Sequence, residues 1–248
     1  MTGATSRIGA RTIEELARKG TKCIAIGRRD VLTWRLGQPF PTSANPNSHD
    51  VLIHLAHDRT LSLDQNKKYA SQLFETFPGF IIFASSLSAH SKSRSLYGKS
   101  KLEIEKLLTA REAAILKIGL YIDKRGGFFK YLLKNISTSA VIPLPNRGIY
   151  PIYCCSPQDL TKLLIKIVES RQSGTFLCAS DKSITLSQLI EIICLKLNRR
   201  AYFVPIPRIL SRVLLLLPLS LGRKFTILDS VRSTIFSLEQ KKFHQCNL

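Results

Sequence analysis

Short apolar segments recur in the first half of the chain, and each is apolar at nearly every position rather than at alternate ones. They lie at residues 23–27, 51–56, 80–84 and 114–118. A strand that is buried on both faces has such a continuous run, and strands of this kind are typical of parallel sheets. The pattern therefore predicts four buried parallel strands.

Stretches with helical patterning separate these segments, at residues 7–19, 63–76 and 97–109. Strands that alternate with helices indicate a parallel sheet with helices on both faces. Residues 30–49 are rich in Pro, Ser and Asn and are too broken for a crossover helix, so we expect only a short edge strand near residues 32–36.

The rhythm changes after about residue 120. Gly126-Gly127 and residues 143–151 predict loops, and Ser156-Pro157 begins a helix that runs to about residue 170. A strand at residues 175–179 and a helix at 185–197 follow. We predict a doubly wound α/β domain at residues 1–122. Residues 123–248 form a smaller mixed α/β lobe, whose elements interleave with the sheet.

Charge and composition narrow the class of protein. The chain of 248 residues is 44% hydrophobic, which excludes a disordered protein, and its net charge is +20. The excess is spread evenly, with 20 basic and 11 acidic residues up to residue 125 and 17 and 6 after it. A nucleic-acid arm concentrates its basic residues. A solvated basic surface is therefore favoured, and specific nucleic-acid binding is a remote alternative.

Cysteines and apolar runs bear on compartment and ligands. The six cysteines form no CxxC pair and have no histidine at metal-ligand spacing, so we expect reduced thiols and no metal. The longest apolar run, at residues 213–221, falls short of the ~20 residues of a membrane span and contains Pro218. We therefore expect a cytoplasmic protein without a transmembrane segment.

A glycine-rich turn begins the chain and leads directly into the first helix. Such a turn exposes backbone N–H groups at the positive end of the helix, and a diphosphate binds well there. Gly3 would permit the tight turn, and Gly9 the close packing of helix on strand. An ordinary structural turn is the alternative. The candidate residues are Gly3, Thr5, Ser6, Arg7, Ile8 and Gly9.

Two arginines follow the next predicted strand, at the position where a dinucleotide fold binds the adenosine ribose. An acidic residue there binds the 2′-hydroxyl of NAD, whereas an arginine favours the 2′-phosphate of NADP. Arg28 therefore favours NADP slightly over NAD, and solvation of a loop is the alternative for Arg28 and Arg29.

The strongest chemical signal is a serine, a tyrosine and a lysine near the end of a buried strand. Ser86 follows the strand at residues 80–84, and Tyr97 and Lys101 are four residues apart on a predicted helix, so they share one face. A nearby ammonium lowers the pKa of a phenol from about 10 toward neutrality, which suits Tyr97 to general acid–base chemistry. Ser86 would bind the same substrate oxygen.

Five stretches, TGATSRIG, DVLIHLAHD, FASSLSAHS, YGKSK and ILKIGLYI, together resemble the extended short-chain dehydrogenases/reductases. The resemblance is to the NAD-dependent epimerase/dehydratase family of nucleotide-sugar enzymes, and residues 225–229 extend it to the tail. It implies a Rossmann-like sheet that binds NAD or NADP. By motif position, Ser86, Tyr97 and Lys101 match the catalytic trio, and Lys101 also holds the nicotinamide ribose. Leu55, Ala56 and His57 match the stretch that lines the cofactor.

The sequence departs from the family pattern at several positions. Ser6 replaces the middle glycine of the phosphate loop, which predicts weakened cofactor binding, and Lys117 and Gly119 replace an arginine and a proline. The interval from Ser86 to Tyr97 is 11 residues, so a loop over the substrate is short. Only Met1 precedes the position where the family has its first strand. We therefore expect a truncated start, with an upstream start as the alternative, and unpaired backbone on the neighbouring strands.

The resemblance implies an enzyme that transfers hydride between NAD(P) and the sugar ring of a nucleotide sugar. The reaction would be 4-epimerisation or 4-keto reduction, with a dehydratase also open, as in polysaccharide biosynthesis. A non-catalytic or degenerate NAD(P)-binding protein is the alternative. The family also implies a homodimer. His54, inside a predicted strand, is expected to be a core histidine with a hydrogen-bond partner.

Overall fold

The structure, a computed structural model, describes residues 1–28, 32–93, 95–139 and 141–206. Arg29, the apolar run at 213–221 and the tail stretch at 225–229 lie outside the described residues. The helices in the described part are α1 Arg7–Arg18, α2 Leu63–Thr76, α3 Leu96–Lys106, α4 Gly127–Thr138, α5 Pro157–Ser170 and α6 Leu186–Lys196. The strands are β1 Ile26–Gly27, β2 Leu32–Thr33, β3 Val51–His54, β4 Phe80–Ser86, β5 Ala113–Ile118, β6 Leu120–Tyr121, β7 Val141–Pro145, β8 Pro151–Ile152, β9 Cys154–Cys155, β10 Gly174–Cys178, β11 Ile184–Thr185 and β12 Tyr202–Ile206.

A parallel sheet with the order β10-β5-β4-β3 forms the centre of the molecule. Thr2 continues this sheet by one position, because it forms parallel bridges to both His54 of β3 and Ile26 of β1. β1 pairs in parallel with β2, the short edge strand predicted for residues 32–36. The prediction of a parallel α/β sheet is confirmed.

Helices cover both faces of the sheet, and the side chains of β4 alternate between the two faces. Ile82 and Ala84 belong to a first core, which α1 and α5 complete. Ile81 and Phe83 belong to a second core, which α2 and α3 complete. Successive side chains of a strand point to opposite faces, so a strand with helices on both sides must be apolar throughout. This explains the continuous apolar runs in the sequence.

Met1 and Thr2 lie between β1 and β3, where the family resemblance predicts a longer first strand. Thr2 N–H donates to Ile53 O at 3.0 Å, and Leu55 N–H donates to Thr2 O at 3.2 Å. Ile26 N–H donates to Met1 O at 2.9 Å. The expectation of unpaired backbone is therefore wrong at this end of the sheet, because the two residues give both neighbouring strands a hydrogen-bond partner.

The residues after β5 build a third core around α4 and α6, separate from the two that flank the sheet. β7 pairs in parallel with β12, and β8 pairs antiparallel with β11. Two elements of this region return to the main sheet, because β10 pairs with β5 and α5 packs against α1. The division of the chain at residue 122 stays a prediction.

The bounds of several sheet strands differ from the predicted ones, those of β1 and β4 among them. β1 covers Ile26–Gly27 rather than residues 23–27, because regular ladder pairing with Thr2 and β2 is limited to these two residues. Just before them, Ala25 O still accepts from Leu32 N–H at 3.2 Å. β4 continues to Ser86, since Ser85 and Ser86 still pair with Lys117 and Ile118 of β5. Ser86 is therefore the last residue of a strand rather than the first residue of a loop.

The sequence pattern does not predict α4 or the two-residue strands β6, β8, β9 and β11. Gly126-Gly127, a loop signal, stands at the start of α4, and Gly126 caps this helix without a side-chain hydrogen bond. Strands of two residues, such as β6 and β9, are too short to show a periodicity.

Two kinds of feature, a membrane-spanning helix and a cluster of metal ligands, are absent from the described residues. None of the helices in this part of the chain is long and apolar enough to cross a membrane. Within the same residues, no three His, Cys, Asp or Glu side chains cluster as the ligands of a metal ion would.

Candidate active site

The predicted catalytic residues come from two adjoining elements, the end of β4 and the beginning of α3. Ser86 is the last residue of β4, and Tyr97 and Lys101 lie about one turn apart on α3. The Ser95 side chain caps α3 by accepting a hydrogen bond from Gly98 N–H at 2.9 Å. The site therefore lies at the carboxyl end of the parallel strands, where α/β sheets bind their ligands.

The first turn of α3 packs so closely on the loop after β4 that only glycine fits at residue 98. A Cβ atom on Gly98 would lie 2.2 Å from Ser88 O and 2.2 Å from Ser93 Oγ. Both distances are far inside van der Waals contact. This close packing fixes the distance between α3 and the residues that follow β4, and therefore also the position of Tyr97.

The half-buried ring of Tyr97 has two cations and an imidazole around it. The guanidinium carbon of Arg59 lies 4.7 Å from the ring centroid, and Lys101 Nζ lies 5.9 Å from it. The His57 ring meets the phenol edge-on, with centroids 5.0 Å apart. Cations near a phenol favour its deprotonated form. The arrangement suits Tyr97 to proton transfer.

Lys101 is buried under the site, with only 2% of the residue exposed. Its Nζ donates to Ala84 O at 2.6 Å and lies 4.5 Å from the centroid of the Phe83 ring. Burial, and then the charge of Arg59, lowers the pKa of Lys101 from 10.5 to about 7, whereas Glu105 raises it. The charge of Lys101 therefore changes near neutral pH.

Ser86 faces the site with its hydroxyl already accepting two hydrogen bonds. Ser88 N–H donates to Ser86 Oγ at 3.2 Å, and the Ser88 hydroxyl donates to the same oxygen at 3.0 Å. A hydroxyl oxygen that accepts twice keeps its own hydrogen as a donor. Ser86 can therefore donate to a substrate oxygen at the mouth of β4.

The turn before α1 depends on two glycines. Gly3 has a φ of +68°, and a Cβ atom there would lie 2.9 Å from Ala56 N. A Cβ atom on Gly9 would lie 2.6 Å from Gly3 O. Only glycine permits this backbone conformation and these close approaches. Thr5 is exposed in the same turn.

Ser6, which replaces a family glycine, caps α1 with its own side chain. Its Oγ accepts a hydrogen bond from Gly9 N–H at 3.0 Å. The first-turn amides of Arg7 and Ile8 have no acceptor within the helix and are available to an anion. The Arg7 guanidinium donates to Arg125 O at 3.2 Å, so it leans toward the segment before α4. The turn keeps the amides and the helix dipole that a diphosphate needs.

Leu55, Ala56 and His57 follow β3 and are half-buried beside this turn. Burial, followed by the charges of Lys101 and Arg59, lowers the pKa of His57 to about 2, so the ring is neutral. His57 Nδ1 is buried and has no hydrogen-bond partner among the described residues. A bound ligand can satisfy such an atom. Together with the glycine turn, this unsatisfied atom fits a dinucleotide.

His54 is a core histidine, as the sequence predicts. Its Nδ1 lies 2.7 Å from Thr2 Oγ1, and its ring contacts those of Phe74 and Phe83. Burial is the main cause that lowers its pKa to about 3, with a smaller contribution from Lys101. His54 therefore holds the sheet together and does not belong to the site.

Arg28, the residue predicted to select NADP, is exposed at the end of β1. It lies near Asp58, because its charge contributes to a lowered pKa of that carboxyl group, of which the hydrogen bond from Thr60 is the main cause. Arg28 and Asp58 therefore share the edge of the sheet beyond β1 and β3. Its contact with an adenosine 2′-phosphate stays a prediction.

Two charged neighbours of the catalytic residues were not predicted. Arg59 lies in a polar stretch after β3, and nothing in the sequence separates it from an ordinary loop residue. Glu105 follows Lys101 by four residues, so helical spacing alone could have marked it as a neighbour. Its partner Lys117 stands out in the sequence only as the replacement of a family arginine, which does not indicate a contact with Glu105.

The chain matches known proteins in structure but not in sequence comparisons. A scan against protein-family models finds no match, and a search of curated proteins finds none. Solved structures do match. A nucleoside-diphosphate-sugar epimerase from Staphylococcus aureus has a TM-score of 0.74 and 14% identity, over 97% of this chain and 91% of that chain.

Two further solved structures are similar. The dTDP-4-dehydrorhamnose reductase from Yersinia enterocolitica has a TM-score of 0.68 and 20% identity, over 86% of this chain and 83% of that one. MoeE5 in complex with UDP-glucuronic acid and NAD has a TM-score of 0.69 and 16% identity, over 83% and 84%. At these identities the likeness shows the fold. The chain has the Rossmann-like α/β fold of NAD-dependent nucleotide-sugar epimerases and reductases.

Proposed function

We propose that the protein is an NAD(P)-dependent oxidoreductase or epimerase that acts on a nucleotide sugar, by 4-epimerisation or 4-keto reduction. The observation that carries the proposal is the Tyr97 ring, which has Arg59 and Lys101 beside it, at the carboxyl end of the sheet. Similar folds occur in a nucleoside-diphosphate-sugar epimerase, in a dTDP-4-dehydrorhamnose reductase and in MoeE5, which was solved in complex with UDP-glucuronic acid and NAD.

The chemistry divides between the cofactor and three side chains. When bound, the nicotinamide accepts or donates the hydride. Tyr97 takes the proton from the sugar hydroxyl as it becomes a ketone, and returns it when the ketone is reduced. Ser86 donates a hydrogen bond to the same oxygen. Lys101 would hold the nicotinamide ribose, and its positive charge would favour the phenolate of Tyr97.

The dinucleotide would be held at the amino end of α1. The amides of Arg7 and Ile8 would bind the diphosphate. The stretch Leu55–His57 would line the cleft, with His57 Nδ1 available to the ligand. Arg28 favours NADP slightly, with NAD as the alternative. The lobe at residues 123–248 would bind the nucleotide sugar, and the protein would act as a homodimer.

A Tyr97→Phe variant tests the catalytic assignment. We expect turnover of nucleotide sugars to fall by about 100- to 10,000-fold, because the phenol hydroxyl carries the proton. Binding of NAD(P), followed by fluorescence titration, should be retained because the ring still packs on His57. A Tyr131→Phe variant, which alters an exposed tyrosine on α4, is the control. Equal turnover by Tyr97→Phe and the parent would refute the assignment.

A non-catalytic dinucleotide-binding protein is the second candidate, and the observation that favours it is Ser6. The Ser6 hydroxyl stands in the loop where the family has a glycine, and it already engages Gly9 N–H. Saturable NAD(P) binding by a parent protein that turns over no nucleotide sugar would support this candidate over the enzyme.

A further inference from the structure

A buried ion pair lies directly behind the candidate site, and none of the roles given above uses it. Lys117 Nζ lies 3.1 Å from Glu105 Oε2, with 13% and 9% of the two side chains exposed. The other carboxylate oxygen, Oε1, accepts a hydrogen bond from the hydroxyl of Ser85. Lys117 Nζ also donates to Ala89 O at 2.8 Å. One charged pair thus joins four segments of chain.

Each of these segments carries or borders a candidate catalytic residue. Glu105 lies on α3, one turn after Lys101 and two turns after Tyr97. Ser85 precedes Ser86 on β4, and Ala89 lies in the loop between β4 and α3. Lys117 comes from β5, the next strand in the sheet. The pair therefore connects the helix of the tyrosine to the strand of the serine.

Stability alone is a poor explanation of such a pair. Removing two charges from water costs about as much as their attraction returns, and apolar side chains of similar volume often stabilise a core better. What an ion pair does supply is a fixed relative position, because its bonds are directional and a shifted partner leaves a buried charge unpaired.

We infer that Glu105 and Lys117 are positioning residues for the reaction proposed above, and that they hold α3 in register with β4 and with residues 87–93, which follow β4. The inference rests on the proposed function. The pair does not touch substrate or cofactor. It acts by keeping the Tyr97 hydroxyl and the Ser86 hydroxyl within reach of one substrate oxygen.

An electrostatic effect accompanies the mechanical one. Glu105 raises the pKa of Lys101, in opposition to burial and Arg59, which lower it. The carboxylate therefore keeps Lys101 charged over a wider range of pH. A Glu105→Gln substitution retains the acceptor for the Ser85 hydroxyl but removes this charge.

The test compares three changes at the pair. We expect Lys117→Met to lower kcat by about 10- to 100-fold, since misplacement by about an ångström costs that much, while KM and the Kd of NAD(P) stay at parent values. Lys117→Arg should retain most of the parent kcat, because an arginine keeps the positive charge and can donate to the same two acceptors, Glu105 Oε2 and Ala89 O. The double substitution Glu105→Gln with Lys117→Met leaves no buried charge unpaired, so it keeps the experiment informative if Lys117→Met does not fold.

Lys106→Met is the matched control, since Lys106 is an exposed lysine on the same helix and pairs with Glu103 at the surface. It should keep the parent kcat. A folded Lys117→Met or double variant with the kcat of the parent would overturn the inference. A lowered melting temperature with unchanged kcat would do so as well, because it indicates a merely structural role.

Amide hydrogen exchange separates failure of this inference from failure of the proposed function. Lys117→Met should speed exchange in residues 87–93 and in the first turn of α3, with β3 unchanged, whether or not the parent turns over a nucleotide sugar. If Tyr97→Phe is as active as the parent but this local exchange rises, the function is wrong and the positioning stands. Parent exchange rates in residues 87–93 would overturn the positioning.

Discussion

At the scale of single residues, the burial of Lys101 controls how the candidate site responds to pH. Lys101 carries its ammonium charge at pH values below its pKa of about 7 and loses the charge at higher pH. Burial lowers this pKa because it opposes the charged form. A lysine in water would stay charged to about pH 10. The positive charge that Lys101 places beside Tyr97 therefore depends on pH near neutrality.

A test of this pH dependence uses Arg59→Leu. The substitution removes a cation that lowers the pKa of Lys101, so that pKa should rise. If Lys101 holds the nicotinamide ribose as proposed, the affinity for NAD(P) should decline as the pH rises through the pKa of Lys101. We expect the midpoint of this decline, near pH 7 in the parent, to move to higher pH in Arg59→Leu. Fluorescence titration of NAD(P) across a pH series measures it.

The control for this test is Arg18→Leu, which removes an exposed arginine that pairs with Glu14 and Glu15 on α1. Its midpoint should equal that of the parent. An unchanged midpoint in Arg59→Leu would show that Arg59 does not influence the ionisation of Lys101.

The sequence reveals those site residues whose partners are near in the chain. Tyr97 and Lys101 share a helix face through a spacing of four, and Gly3 and Gly9 mark a turn into a helix. Arg59 reaches Tyr97 across 38 positions of sequence. No local pattern encodes such a contact, because it depends on how β3 and α3 pack.

At the scale of elements, the close packing of α3 on β4 and on the residues after it determines the geometry of the candidate site. Its first turn has no room for a Cβ atom at residue 98, and its later turns are joined to β4 through Lys101 and Glu105. Successive attachments along one helix leave it little freedom to slide. The relative positions of the candidate site residues therefore depend on how closely α3 packs against β4.

A Gly98→Ala variant tests this fit. The added methyl group would overlap Ser88 O, so the helix must shift, and overpacking of this kind costs about 1–3 kcal/mol. We expect a lower urea midpoint and, because Tyr97 moves with the helix, a lower kcat. Lys99→Ala, one residue further on the exposed side of α3, should leave both values unchanged. A Gly98→Ala protein with the urea midpoint and kcat of the parent would show that α3 has room for a methyl group at residue 98.

The elements that the sequence reveals are those with long or continuous patterns. The buried runs of β3, β4 and β5 and the faces of α1, α2 and α5 follow from local hydrophobicity. The pairing of β7 with β12 joins segments about 60 residues apart, and both strands contain proline, which argues against a strand. Tertiary packing outweighs local preference there, so the sequence alone cannot give it.

At the scale of the whole molecule, a buried histidine links the stability of the fold to pH. His54 is neutral in the folded chain, with a pKa of about 3 against 6.5 when exposed. Its contribution to stability is complete above pH 6.5 and is lost progressively as the pH falls toward 3, because the unfolded chain then binds the proton. The free energy of unfolding should therefore decrease as the pH falls below about 6.5.

A comparison of two histidine variants measures this effect. The parent should lose about 1.4 kcal/mol of unfolding free energy for each pH unit below 6.5 on account of His54. His54→Gln should show a shallower dependence, as followed by urea unfolding between pH 7 and pH 4. His49→Gln, which changes an exposed histidine, should keep the parent slope. Equal slopes in all three proteins would contradict the assignment.

The three separate cores have a consequence for how such a protein can change over generations. Among the residues that the structure describes, the third core, around α4 and α6, shares no residue with the two cores that hold the sheet and α3. Substitutions there can reshape the lobe assigned to the sugar without disturbing the residues assigned to proton transfer. Diversification toward new sugars can therefore proceed in one part of the chain while selection keeps the other part constant, which makes the fold readily evolvable.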